Sequence, residues 1–199
     1  MNKVVFILND NFTSTWIFYS FIIGFCIFVI SEFYISNKTR RNSEKKIEKD
    51  GGSFYVIIFC TWFIVALNFY TKIERRLLLS IFQYIGVIMM LIGVIIRVYS
   101  VELLDKAFTL HVCTGDNQKI IKRGIYKLVR HPAYLGSVIT MIGMSMALRN
   151  EVNLVITIVI LILMYAYRIK IEEKALISRF GEDYLDYKKE TKFIIPKIL

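Results

Sequence analysis

Arg130, His131 and Pro132 stand together where an apolar block begins. Proline is tolerated in a first helical turn because its missing N–H would be unpaired there anyway. The neighbouring N–H groups and the positive helix end can then take an anion, and His131 can donate a hydrogen bond to it. The plainer reading is a basic helix start that anchors in the headgroup region. Further along, Arg168, Glu172 and Leu176 fall at i, i+4 and i+8, on one helix face. Arg168 and Glu172 can pair with each other, worth a few tenths of a kcal/mol when exposed. Alternatively each faces a ligand, Arg168 a carboxylate and Glu172 an ammonium. Polar groups at the edge of hydrocarbon are costly unless paired and are candidates for function. Glu173 turns about 100° from Glu172 on a helix and is expected to be solvated.

These residues lie in two polar segments, 97–134 and 165–196, and both histidines, His111 and His131, fall in the first. The rest of the chain must position them. Of 199 residues, 56% are hydrophobic, 15% aromatic and only 21% charged, with a mean hydropathy of +0.53. That composition excludes a disordered chain, a collagen-like chain and a disulfide scaffold, and argues against an ordinary soluble enzyme. The apolar residues fall in five blocks: Trp16–Ile35, Phe54–Tyr70, Leu77–Ile96, Ala133–Leu148 and Val152–Tyr167. About 20 apolar residues cross a hydrocarbon core. The expected fold class is therefore all-α: a polytopic integral membrane protein of about five transmembrane helices. The last two blocks are short, separated only by Arg149–Glu151, and read as a C-terminal antiparallel hairpin with ends in the interface. The alternative for them is a re-entrant pair that never crosses. The blocks are too long and lack the strict alternation for strands of a β-barrel.

The basic residues set the orientation. Six lie in 36–53, seven in 97–132 and eight from Arg168 onward, against five on the opposite side. The excess of Lys and Arg marks the cytoplasmic side, so the N-terminus is expected outside and the C-terminus in the cytoplasm. The net charge of +10 is explained by these juxtamembrane loops and their attraction to membrane lipid headgroups, and no nucleic-acid partner is expected. Cys26 and Cys60 sit in apolar blocks as small hydrophobes, and Cys113 stands alone. With no CxxC, neither a disulfide framework nor a metal site is expected. No cleavable signal is apparent after the first block. High Ile, Lys and Asn usage points to an AT-rich genome and a prokaryotic cell membrane.

Phe180-Gly181-Glu182-Asp183-Tyr184 reads as a helix stop and a new start: Gly181 suits a left-handed cap, and the acids suit the next N-terminus. Tyr184, Tyr187 and Phe193 are expected to be interfacial packing.

Taken in order, Leu91-Ile92-Gly93…Arg97, Phe108-Thr109, Gly124-Ile125-Tyr126…Arg130-His131-Pro132-Ala133-Tyr134-Leu135-Gly136 and Arg168…Glu172-Glu173…Leu176…Phe180-Gly181…Tyr184…Tyr187 resemble the isoprenylcysteine carboxyl methyltransferase family, which is related to phospholipid N-methyltransferases. The resemblance covers roughly residues 86–196. Residues 1–85 hold N-terminal transmembrane helices without a family signature, and 86–199 would form the methyltransferase core. The resemblance implies an integral-membrane enzyme that uses S-adenosylmethionine in a cytosol-facing cofactor region, with a lipid acceptor arriving from the bilayer. It implies that Gln118, Lys119, Ile120 and Ile121 line the adenosine and that Tyr126 contacts the cofactor. It further implies that His131, Pro132, Ala133 and Tyr134 form the wall near its methionine moiety, that Glu172 holds the cofactor and that Arg168 orients the acceptor. His111 falls where the family places a cofactor-facing polar residue.

The implied function is carboxyl O-methylation of an isoprenylcysteine-like or other lipophilic acid, the substrate being a lipophilic small molecule or a prenylated chain. Such an acceptor is already ionised at neutral pH and needs no general base. Three alternatives stand beside it: a lipid-amine N-methyltransferase on the same scaffold, a membrane reductase of the steroid-reductase type using a nicotinamide cofactor, and a non-catalytic membrane scaffold. Arg168 is an awkward neighbour for an amine, which favours the carboxyl acceptor.

Overall fold

The computed structural model describes residues 12, 14–42, 52–71, 78–105 and 120–193. The secondary structure is helical: α1 (Thr15–Asn42), α2 (Ser53–Tyr70), α3 (Ile81–Leu104), a 3₁₀ turn at Gly124–Lys127, α4 (Pro132–Ala147), α5 (Glu151–Phe180) and α6 (Glu182–Glu190). Helices α1, α2, α3 and α5 are long and apolar enough to cross a membrane. Their outer faces expose large apolar side chains such as Trp16, Phe33, Phe59, Ile95 and Leu163. In water such a surface would be prohibitive; against lipid tails it is the expected surface of a helix whose backbone is satisfied internally. The chain is a polytopic integral membrane protein.

The tightest contact is between α3 and α4. Gly86 and Gly93 on α3 face Gly143 and Gly136 on α4, and each pair is seven residues apart, so the glycines recur on one stripe. A methyl group on Gly136 would stand 2.6 Å from the backbone nitrogen of Arg97, and one on Gly143 would stand 2.6 Å from the Gly86 carbonyl oxygen. Small residues are what let two helices approach this closely in a membrane, where packing replaces the hydrophobic effect. Helix α1 packs chiefly on α3, and α2 chiefly on α5.

The α4–α5 hairpin is as expected, but the two helices are not equally short. Helix α4 has 16 residues, about 24 Å. Its first turn meets Arg97 near the end of α3, through Ala133 and Ser137, and its last residue, Ala147, accepts from Gln83 at the start of α3. It therefore runs along α3 from one polar end to the other and is not half of a re-entrant pair. Helix α5 is no marginal span: it has 30 residues, because the helical pattern continues past Tyr167 through Arg168, Glu172 and Leu176. Between them Asn150 caps α5, its side chain accepting from Asn153 N at 2.9 Å, the usual role of asparagine at that position.

Gly181, at φ +52°, ends α5 and starts α6. Glu182 and Asp183 fill the first turn of α6, complementing its positive end. The segment after α6 returns to the start of α4: Arg130 N donates to Lys192 O at 2.9 Å, and Lys192 N donates to Leu128 O at 3.1 Å.

Candidate active site at one end of the bundle

The polar segments converge where α1, α3 and α5 approach their C-termini and α2 and α4 begin. Proline sits at the first position of α4, as its chemistry favours. His131 immediately before it is buried, stacks on Tyr134 with ring centroids 5.6 Å apart and meets Phe193 edge-on. Its Nε2 lies 3.4 Å from Glu173 Oε1. The Nε2 side of the imidazole thus faces a carboxylate of the protein.

Glu173 is the clearest correction. It is not solvated: it accepts from Arg130 Nε at 2.9 Å and from Lys188 Nζ at 2.7 Å. Arg130 also donates to the backbone oxygens of Lys188 and Thr191 at 3.2 and 2.6 Å. Arg130 and Glu173 therefore fasten α5, α6 and the returning segment to the base of α4. The 100° turn that separates Glu173 from Glu172 points it at this junction.

Arg168 and Glu172 do share a face, but they meet through a third residue. Tyr134 Oη donates to Glu172 Oε2 at 2.5 Å and accepts from Arg168 Nε at 3.1 Å. Arg168 is buried and also donates through Nη1 to Ser53 Oγ at the first residue of α2. The relay Arg168–Tyr134–Glu172 spans α5 and α4 and stands in the wall of a cavity of about 380 Å³, within the size range of small-ligand sites.

Of the residues expected at the site, Ile120, Ile121, Tyr126, His131, Ala133, Tyr134, Arg168 and Glu172 all line this one cavity. Pro132 starts α4 beside it and is buried. His111, Gln118 and Lys119 lie outside the described residues. Tyr126 is buried; its hydroxyl donates to Ser100 O at 3.4 Å, and its carbonyl accepts from Tyr187 Oη at 2.7 Å. Burial pushes the Tyr126 phenol well above its ordinary range and the Tyr187 phenol up to about 12. Both are neutral hydrogen-bonding groups at any physiological pH. The inner end of the cavity is apolar, walled by Phe28, Val29, Ile57, Trp62, Val65 and Met141. Polar groups at one end and apolar walls at the other suit an amphipathic occupant.

A family model described as the isoprenylcysteine carboxyl methyltransferase (ICMT) family matches residues 86–178. The chain is similar to that family over this range, a little under half of its length. It is 28% identical over 188 residues to the protein-S-isoprenylcysteine O-methyltransferase of Saccharomyces cerevisiae, covering 89% of this chain and 79% of that one. It is 32% identical over 118 residues to a probable protein-S-isoprenylcysteine O-methyltransferase of Oryza sativa subsp. indica, covering 58% of this chain. The match spans 62% of the rice protein's length. Among solved structures, the eukaryotic intramembrane Ras methyltransferase ICMT superposes with a TM-score of 0.65 at 19% identity, over 96% of this chain and 71% of that chain. That likeness establishes a shared fold.

The structure adds residues to the cavity that sequence reasoning did not place there. Arg97 is buried and donates to both carboxylate oxygens of Glu32, at 2.6 and 2.9 Å, and to Ser137 Oγ at 2.6 Å. Glu32 and Arg97 both line the cavity. Glu32 and Ser53 lie outside the range the family model matches, yet they hold the two arginines, Arg97 and Arg168. The signal was present: Glu32 is the one charge in the first apolar block and Arg97 closes the third, and opposite charges inside spans look for each other. Tyr184 and Tyr187, read as packing, are buried and stand in the cavity wall.

Proposed function

We propose that the chain is an S-adenosylmethionine-dependent carboxyl methyltransferase acting on an isoprenylcysteine-like or similarly lipophilic acid. The observation that carries this reading is the Arg168–Tyr134–Glu172 relay in a cavity that is polar at one end and apolar at the other. The names of the relatives support the same activity.

The side chains present fit the methyl donor. Glu172 has one oxygen on Tyr134 and a second with no protein partner among the described residues, suited to an ammonium. In the first turn of α4 Pro132 has no N–H and Tyr134 N and Leu135 N donate to His131 O, which leaves the Ala133 N–H and the positive helix end to suit a carboxylate. Ile120, Ile121 and Tyr126 supply the apolar and aromatic surface a purine needs. Bound there, the donor supplies an electrophilic methyl group on a sulfonium. Arg168 orients the acceptor carboxylate by forked hydrogen bonds. Tyr134 holds Arg168 and Glu172 in one register, which would fix the groups that bind donor and acceptor relative to each other. The acceptor carries no proton to remove, so no base is required, and catalysis rests on positioning and on exclusion of water. On this reading residues 86–199 form the donor side, and α1 and α2 wall the acceptor side.

The site end faces the cytoplasm, because the loops at that end carry the excess of Lys and Arg. On this reading the N-terminus is outside and the C-terminus in the cytoplasm, and the high Ile, Lys and Asn usage supports a prokaryotic cell membrane.

The test is label transfer from methyl-labelled S-adenosylmethionine by the purified chain in detergent, to a farnesylcysteine analogue or to phosphatidylethanolamine. The expected product is a base-labile ester that releases labelled methanol. Label stable to base on the amine, or no binding of the donor, would overturn the reading.

A further inference from the structure

Five tyrosines line the cavity: Tyr126, Tyr134, Tyr165, Tyr184 and Tyr187. Four of their hydroxyls have protein partners. Tyr126 uses Ser100 O, Tyr134 uses Glu172, Tyr165 uses Ser137 and Tyr187 uses Tyr126 O. The fifth does not. Tyr184 is 2% exposed, and its Oη is buried with no hydrogen-bond partner among the described residues. A buried hydroxyl without a partner is uncommon and unfavourable, and in a cavity wall the missing partner is most simply a ligand atom.

The neighbours of that hydroxyl limit what the ligand atom can be. The charged groups that bear on it are the Glu173 and Glu172 carboxylates and the Arg130 guanidinium. Both Glu173 oxygens are engaged, with Arg130, His131 and Lys188, and Arg130 uses Nε and Nη1 on Glu173 and on the Lys188 and Thr191 carbonyls. Glu172 alone keeps an oxygen for a ligand. A phenol beside that carboxylate can accept from the same cation through its lone pairs.

Resting on the function proposed above, we propose that the Tyr184 hydroxyl contacts the amino-acid end of the methyl donor, sharing its ammonium with Glu172. Tyr184 is then a donor-binding residue carried by α6, and α6 is part of the binding site. Its neighbour one turn on, Tyr187, supplies the contrast: its hydroxyl is already satisfied by backbone.

The experiment uses the full chain in detergent, its Tyr184→Phe variant, and two probes measured by calorimetry. S-adenosylhomocysteine carries the amino-acid end, and 5′-methylthioadenosine carries the nucleoside without it. Tyr184→Phe is expected to raise the Kd for S-adenosylhomocysteine about tenfold, to leave that for methylthioadenosine within about twofold, and not to lower the melting temperature of the ligand-free chain. Tyr187→Phe is expected to lower that melting temperature, because it strands the Tyr126 carbonyl. Equal weakening of both probes by Tyr184→Phe, weakening of neither, or a drop in ligand-free stability would overturn the assignment while leaving the proposed function standing. Failure of the unaltered chain to bind S-adenosylhomocysteine would overturn both.

Discussion

The two ends of the helical bundle are fastened by different chemistry. At the end away from the cavity the interior bonds are made chiefly by neutral amides and a hydroxyl. Gln83 Nε2 donates to Ala147 O at 3.2 Å, Asn150 Nδ2 to Thr71 Oγ1 at 3.1 Å, and Asn153 Nδ2 to Leu67 O at 3.1 Å. Arg149 and Glu151 bring charge to that end at the hairpin turn, where Arg149 donates to the Leu78 carbonyl. At the cavity end the corresponding positions hold Glu32 with Arg97, Arg168 with Tyr134 and Glu172, and Arg130 with Glu173. Neutral bonds are sufficient to register helices. Charged groups buried at the same depth are a less economical fastening, since ion pairs of this kind are often no more stabilising than well-packed apolar residues. Among the described residues, the ion pairs between helices that line the cavity sit at that one end, which is where the proposed function places the ligands.

The most severe way to break this comparison is to remove one charge and strand its partner. Glu32→Ala leaves Arg97 buried with its strongest partner gone. Breaking such a pair destabilises by about 3–5 kcal/mol. The Glu32 side chain is 32% exposed, so the lower figure applies, a fall of roughly 6–12 °C in melting temperature for a chain of this size. The double variant Glu32→Ala with Arg97→Met should recover most of that stability, because no charge is left unpaired. If the single variant melts with the unaltered chain, the pair is not a structural requirement of α1 and α3.

A smaller but more selective loss is expected from Arg168→Lys. Lysine keeps the charge and loses the planar fork that reaches Tyr134 and an acceptor together. Turnover should fall about a hundredfold, equivalent to about 2.7 kcal/mol in the barrier, while the Kd for S-adenosylhomocysteine moves by less than about threefold. Steady-state kinetics beside calorimetry would separate the two. Parallel loss of both would mean that Arg168 acts through Glu172 and does not face the acceptor.

How much of this was legible beforehand follows from the range of each interaction. The helices were, because apolar blocks and a 3.6-residue period are local properties. The Arg168 and Glu172 face was, because i and i+4 lie on one helix. Gly181 was, because a positive φ is a single-residue property. What escaped depends on pairing between helices. The one-residue offset that sends Glu173 to Arg130 is visible on a helical wheel, but the receiving arginine is 43 positions away. Glu32 and Arg97 are 65 apart, and only the α1–α3 packing makes them neighbours. The length of α5 was missed because hydropathy reports where lipid contact ends, while the helix continues wherever backbone and capping permit. The intervening Tyr134, which turns an expected direct pair into a relay, belongs to α4 and could not be placed from α5 alone.

At the far end the expected effects are on stability only. Asn153→Ala removes an amide that is 1% exposed and bonds both Leu67 O and Thr71 Oγ1. Leu67 O and Thr71 Oγ1 keep other donors, so the loss is that of two buried hydrogen bonds, about 2 kcal/mol, or roughly 4–8 °C, in thermal unfolding of the ligand-free chain. The Kd for S-adenosylhomocysteine should not change, and a change beyond about threefold would show that the two ends are energetically coupled.

Asn150→Ala is the mildest of these substitutions and sharpens the comparison most. It removes the cap of α5, worth about 1 kcal/mol, and one bond to Thr71. Because Asn150 and Asn153 share Thr71 as a partner, their losses should not add. The double variant should fall short of the sum by about 0.5 kcal/mol or more, as expected for residues in one network. Asn150→Ala combined with Glu32→Ala should instead add, because nothing in their hydrogen bonding connects the two. Additivity across the bundle with non-additivity within each end is the behaviour of two independent fastenings. Strong coupling of Asn150 to Glu32 would mean that α5 transmits strain along its whole length, from its cap to the arginine that faces the cavity.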